Sequence, residues 1–205
     1  MIFMKRKVIV TITLLHALSL TAFTQTNKRK TYFPAWTFHQ KNSNIHGVAV
    51  GLTTGRATIR NTNTNGIRIE LIGLGVLLPL APQSLVAQDD STYAVLVSEP
   101  VSEQINGINL SASGTVCDCI TNGFSAGYIA QYNYEVRGIS ISSFSNMAQR
   151  HSGIQMALFV NESYYTKGIQ IGLFNYSHKL RGIQIGAWNV NEKRKLPLIN
   201  WNFKG

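Results

Sequence analysis

Acids are scarce in this chain: nine Asp and Glu stand among 205 residues, against 19 Lys and Arg. Cysteine is scarcer, with only Cys117 and Cys119, in "TVCDC". Two thiols with no partnering Cys or His cluster fall short of a zinc set, so no metal site is assigned. Past the first two dozen residues, His39, His46, His151 and His178 are the only histidines. None is paired with a Cys or an acid in a recognisable nucleophile motif, so no catalytic residue is assigned and the chain reads as non-enzymatic. Gly73-Leu74-Gly75 lacks the remaining glycine and the βαβ setting of a dinucleotide loop. No cofactor is expected. Glu70, a lone acid in an apolar stretch, is best explained by a structural pairing with Arg68 or an Arg of a neighbouring strand.

Long apolar runs are confined to the start. Lys5-Arg6-Lys7 precedes an apolar run from Val8 to Leu20, and Thr21 to Gln25 then turns small and polar. That order fits a secretory signal peptide over residues 1–24, followed by a single domain over residues 25–205. The run is short for a membrane span, and no Cys stands near the cleavage point to carry a lipid. Losing the three leader cations leaves 16 basic against nine acidic residues, a net charge of +7. The cations gather in joints such as Lys28-Arg29-Lys30 and Lys193-Arg194-Lys195. They are not interleaved with aromatics on one surface, which argues against nucleic acid and fits solvated turns facing an anionic membrane surface.

What the sequence has is a phrase repeated. Glycine followed by a β-branched or aromatic residue recurs at Gly107, Gly123, Gly138, Gly153, Gly168 and Gly182, at intervals of 16, 15, 15, 15 and 14. Weaker copies begin at Gly47 and Gly66. Fixed self-similarity means one supersecondary unit used many times. Within "GIQIGLFN", Ile169, Ile171 and Leu173 share one face and Gln170, Gly172 and Phe174 the other. Period-two alternation is the strand pattern. An all-β domain of about ten short strands is expected, with no convincing helix after residue 24. Asn161, Asn175 and Asn189 close three phrases, where Asn suits turns or could stack as a ladder. Residues 83–104 form a long loop between strands, with a short strand at Tyr93–Val97, and would be the first place to look for a partner. Cys117 and Cys119 read as two small residues at a strand end, able to pair only if the chain bends there.

Two environments fit one aliphatic and one polar face. An antiparallel meander closing into an outer-membrane β-barrel would turn the aliphatic face to lipid. A soluble β-solenoid or sandwich would bury it as its core. Export, aromatics at strand ends and the tail "LINWNFKG" favour the barrel. In both, Asp at Ile171 should be worse tolerated than Asp at Gln170.

The phrases "GIQIGLFN", "GIQIGAWN" and "NEKRKLPLINWNF" resemble a family of bacterial surface-repeat proteins built from tandem Gly-Ile-Gln-Ile-Gly-Leu-x-Asn units. "TYFPAWTFHQKN", "HGVAVGL" and "SGTVCDC" are similar to its non-repeat parts. The resemblance runs from about Thr31 to Phe203. It implies an exported protein of the outer membrane or cell surface and supplies no catalytic residues. The expected role is structural or adhesive, with outer-membrane lipid as partner. The alternative is a soluble exported module recognising a glycan or protein.

Overall fold

The structure, a computed structural model, describes residues 28–204. The leader expected over residues 1–24 lies outside them. Eleven strands form one sheet: β1 (Lys30–Tyr32), β2 (Ala35–Thr37), β3 (Ser43–Gly51), β4 (Thr62–Glu70), β5 (Glu103–Ser111), β6 (Val116–Gly127), β7 (Ala130–Ser142), β8 (Ser145–Ala157), β9 (Val160–Ile171), β10 (Phe174–Val190) and β11 (Lys195–Asn202). From β3 to β10 each strand pairs with the next in parallel, and only β11 joins its neighbour antiparallel.

This is a β-solenoid, and the expected antiparallel barrel is corrected. A hairpin turn reverses the chain once per strand and makes neighbours antiparallel. Here each unit bends twice, once at its glycine and once at a corner such as Gly172–Leu173. After about 15 residues the chain therefore points the same way again, one coil further on. The ends stay apart, with β1 and β2 on β3 and β11 on β10.

The first bend explains the repeat's glycine. Gly47, Gly66, Gly107, Gly123, Gly138, Gly153, Gly168 and Gly182 stand in register as one column. Gly168 has φ 133°, a backbone region that L side chains rarely adopt. A Cβ there would lie 2.0 Å from the carbonyl oxygen of Gly153 in the coil below. Each strand is thus kinked into a wall before its glycine and a wall after it, and the two walls enclose a thin interior.

That interior is largely polar: the pre-glycine wall contributes a mixed column that includes Ile45, Ile105, Val136 and Leu180, and the rest is mostly amides. Gln155, Gln170 and Gln184 point inward from the post-glycine wall and form an amide ladder. Gln170 Nε2 donates to Gln155 Oε1 at 2.9 Å and Gln184 Nε2 to Gln170 Oε1 at 2.8 Å. Each also reaches across to the backbone of the following wall, as Gln170 Nε2 does to the Tyr176 carbonyl at 3.2 Å. A second ladder runs the other way, Asn161 Nδ2 to Asn175 Oδ1 and Asn175 Nδ2 to Asn189 Oδ1, both 2.8 Å. These asparagines also donate to corner carbonyls, Asn161 to Ile171 at 2.8 Å and Asn175 to Ile185 at 3.0 Å. They staple each coil shut, so the ladder reading holds.

In the first coils ions replace amides. Arg68, fully buried, donates to Glu103 at 2.8 Å and to Asn109 at 2.8 Å, and lies 3.7 Å from Glu70. Glu70 accepts from Thr54 and Thr115 at 2.5 and 2.9 Å. The Arg68 guanidinium also sits 4.0 Å from the Phe38 ring centroid. Glu70 therefore belongs to a structural network, as its sequence context implied.

Two further expectations change. The segment between β4 and β5 contains a 3₁₀ turn, Gly75–Leu80, and a helix, α1 (Asp90–Ser98), capped by Asp89 accepting from the Thr92 N–H at 2.7 Å. The strand expected at Tyr93–Val97 is helical because this cap starts a helix in a segment with no strand partner. Cys117 and Cys119 are bonded to each other. A bulge in β6 between Cys117 and Ile120 brings their Cα atoms to 5.2 Å, which supplies the bend that a straight strand lacks.

Candidate contact surface

The aliphatic face points outward, which neither sequence-based environment combined with a solenoid. Alternation puts Ile169 and Ile171 opposite Gln170, and the kink turns the small amide side inward. The thin interior has room for amides that reach the facing backbone and would leave unpaired carbonyls if filled with Ile. The outward residues stack in columns set by the parallel register. Val48, Ile67, Ile108, Phe124, Ile139, Ile154, Ile169 and Ile183 make one, continued by Trp201 of β11. Val50, Ile69, Leu110, Ala126, Ile141, Met156, Ile171 and Ile185 make the next, continued by Ile199.

With strands about 4.8 Å apart, this apolar plate is roughly 40 Å long and about 13 Å wide. It curves around a concavity of about 1100 Å³, walled by Ile69, Leu110, Ile141, Met156, Ile171 and Ile185 among others. Leu158, at a corner, is 71% exposed and Ile185 is 42% exposed. An exposed patch of roughly 500 Å² lies at the upper end of what a monomer presents, which makes it the candidate contact surface.

The plate has two unlike long edges. Along the corners run Phe144, Phe159, Phe174 and Trp188, all exposed. Along the kink runs the residue before each glycine, His46, Asn65, Asn106, Asn122, Arg137, Ser152, Lys167 and Arg181, a polar or basic group in every coil. At the C-terminal coils this edge opens into a groove of about 800 Å³. Arg150, Lys167, Lys179, Arg181, Lys193 and Lys204 line it, with Glu135 and Glu192 as its acids. No acid stands on the plate's outward columns or its kink-side row, and the one acid at its corners, Glu70, is buried. Sequence reasoning saw cations in the joints and missed this row. The signal was the position immediately before each repeat glycine.

The pre-glycine wall is different, because parts of the segment from Leu74 to Leu96 fold back over it. Leu78 packs with Val116 and Tyr132, while Val86 and Ala87 pack with Tyr164. The Ala87 N–H donates to Gln149 Oε1 at 3.1 Å, and Gln149 Nε2 donates to the Leu85 carbonyl at 2.8 Å. Tyr93 stacks on Tyr164 with centroids 4.2 Å apart. Asp90 accepts from Lys179 and Tyr164 at the same place. The hydrogen bond from Lys179 is the main reason its carboxyl is held below the ordinary range. The loop singled out as the first place to seek a partner is therefore pinned to its own solenoid at Leu85–Ala87, Asp90 and Tyr93, while no residue of α1 is buried and Val95 is exposed.

One pair inside the coils has the look of chemistry. His151 Nε2 and Ser140 Oγ are 2.9 Å apart, and Asn146 Nδ2 donates to the same hydroxyl at 2.9 Å. Both residues are buried, and His151 Nδ1 has no hydrogen-bond partner among the described residues. Burial pushes the imidazole down to about 3, so it is neutral at ordinary pH. Without a carboxylate at Nδ1 to orient it, this pair lacks the third member of a nucleophilic triad. It fills the interior column between Val136 and Thr166.

Among the described residues no group of three or more His, Cys, Asp or Glu could hold a metal ion, and no helix is long and apolar enough to cross a membrane. Comparison with family models, curated proteins and solved structures returns no match.

Proposed function

We propose that this chain is a non-enzymatic, exported cell-envelope repeat protein whose bare aliphatic plate is its working surface, in a structural or adhesive role. The observation that carries this reading is the plate itself. Nine strands, β3 to β11, each place aliphatic or aromatic residues outward on the same wall, and no segment of the chain between residues 28 and 204 covers them. The opposite wall shows what the chain does when it shields a surface, since residues between Leu74 and Leu96 pack over part of it. Leaving one wall bare has a solubility cost that an external partner removes. The resemblance to surface-repeat proteins and the signal-like leader support an envelope location.

Fractionation of a diderm bacterium expressing the full chain tests this. The wild type should pellet with the envelope. The double variant Ile141→Asp, Ile171→Asp, which keeps the interior ladders, should move to the soluble fraction. Recovery of both chains in the same fraction overturns the reading.

A further inference from the structure

The plate's two edges differ in a way that points to what covers it. We infer that the post-glycine wall docks on an anionic lipid surface, the aliphatic columns entering the leaflet and the kink-side cations meeting head-group phosphates. This rests on the reading of the plate as the working surface and names its partner.

Three observations favour lipid over a second copy of the chain. The first is charge. Lys167 and Arg181 stand directly opposite each other in the parallel register of β9 and β10. Like charges in facing positions repel. Yet neither Lys167 nor Arg181 enters an ion pair among the described residues. The adjoining groove adds four more cations, of which Arg150 pairs with Glu135 and Lys179 with Asp90, leaving Lys193 and Lys204 outside the ion pairs of the described residues. An arrangement that concentrates positive charge beside an apolar face is complementary to an anionic leaflet. A second copy would bring the same excess, in a chain whose net charge without the leader is +7.

The second is area. A plate of roughly 500 Å² falls short of the ~800 Å² each partner contributes to a standard protein interface. Entry of side chains into a leaflet requires no matching surface. The third is the corner row. Phe144, Phe159, Phe174 and Trp188 line the edge opposite the cations and are exposed. Aromatic rings settle at the boundary between head groups and acyl chains. The plate is therefore bounded by interfacial residues on both long sides.

Vesicle co-flotation with the full chain tests the assignment. Vesicles of phosphatidylcholine alone are compared with phosphatidylcholine and phosphatidylglycerol at roughly three to one. The wild type should float with the anionic vesicles, and added salt should weaken the binding. Lys167→Gln with Arg181→Gln should weaken it by roughly 25-fold, about fivefold for each cation near the surface. Ile141→Asp with Ile171→Asp should abolish it while the circular dichroism spectrum stays that of the wild type. Inorganic phosphate, at ionic strength matched with chloride, should displace nothing further. Displacement by phosphate beyond that control would mean a free-anion site and overturn docking on a surface. Equal flotation with neutral and anionic vesicles would overturn the role of the cations.

Sedimentation of the same proteins separates this proposal from the one beneath it. A wild-type dimer that the plate variants dissolve, with no vesicle binding, overturns lipid docking and keeps the plate as a contact surface. Plate variants that alter neither flotation nor self-association overturn both.

Discussion

Placing one carboxylate on either side of β9 tests which face is inside. Gln170 is 0% exposed and makes three side-chain hydrogen bonds. Its amide donates to Gln155 Oε1 and the Tyr176 carbonyl, and its oxygen accepts from Gln184. Asp at this position is one methylene shorter and brings no N–H while ionised. It would face two acceptors with a negative charge in a water-excluded slot. Each abandoned partner costs about 1–3 kcal/mol, and the buried charge adds to that, so a loss of about 4 kcal/mol or more is expected. Ile171, next along the strand, is 36% exposed and points outward. Asp there removes partial apolar cover and cross-strand packing, worth about 1–2 kcal/mol. Urea unfolding of the two single variants, followed by circular dichroism, measures the difference. The order expected from alternation alone is the reverse. If Ile171→Asp proves the more damaging, the aliphatic face is the core and the plate does not exist.

Gly168→Ala should cost about 3 kcal/mol or more, since its Cβ meets the Gly153 carbonyl and its φ is positive; a Tm within error of the wild type would refute the kink. Glu103→Gln, which strips the carboxylate shared by Arg60 and Arg68, should cost about 3–5 kcal/mol in the same urea assay, and near-neutrality would refute the buried network. His151 predicts a pH dependence of known sign. The unfolded imidazole takes a proton below about pH 6.5, while the folded one resists until about 3. Its contribution is thus fully present above that range and lost as pH falls, by about 2 kcal/mol at pH 5. His151→Gln should flatten this part of the profile, and an unchanged slope would refute the assignment.

The strands and their repeat were legible because alternation and spacing are local properties. "GIQIGLFN" announces its two faces in eight residues. Which face turns inward was not legible, since it depends on Gly168 and its seven column mates kinking every strand toward the amide side. That kink is a positive φ, and a sequence shows only that glycine permits one. Parallel pairing was legible only as the alternative of a solenoid with an Asn ladder, and that alternative holds; counting residues between phrases does not reveal that the chain bends twice per unit. Helix α1 was missed because its apolar residues show no face, and its clearest signal is one capping aspartate, Asp89. The bond between Cys117 and Cys119 waited on a bulge that only pairing with β7 discloses. Lys167 and Arg181 were visible as residues, but their adjacency across strands is a property of register.

The register also makes the face countable. Because each coil lies directly on the last, glycine over glycine, the outward surface grows only in whole coils, by about 4.8 Å at a time. Excising residues 154–168 would bring Gly153 and Ile169 together and preserve the pattern on both sides of the join. Removing one residue would instead exchange inside for outside in everything that follows until the next bend. A lineage carrying this architecture can therefore lengthen or shorten its face by copying or losing a phrase, while the ends of the stack keep their own distinct sequences. Reach, in such a molecule, is a number of repeats.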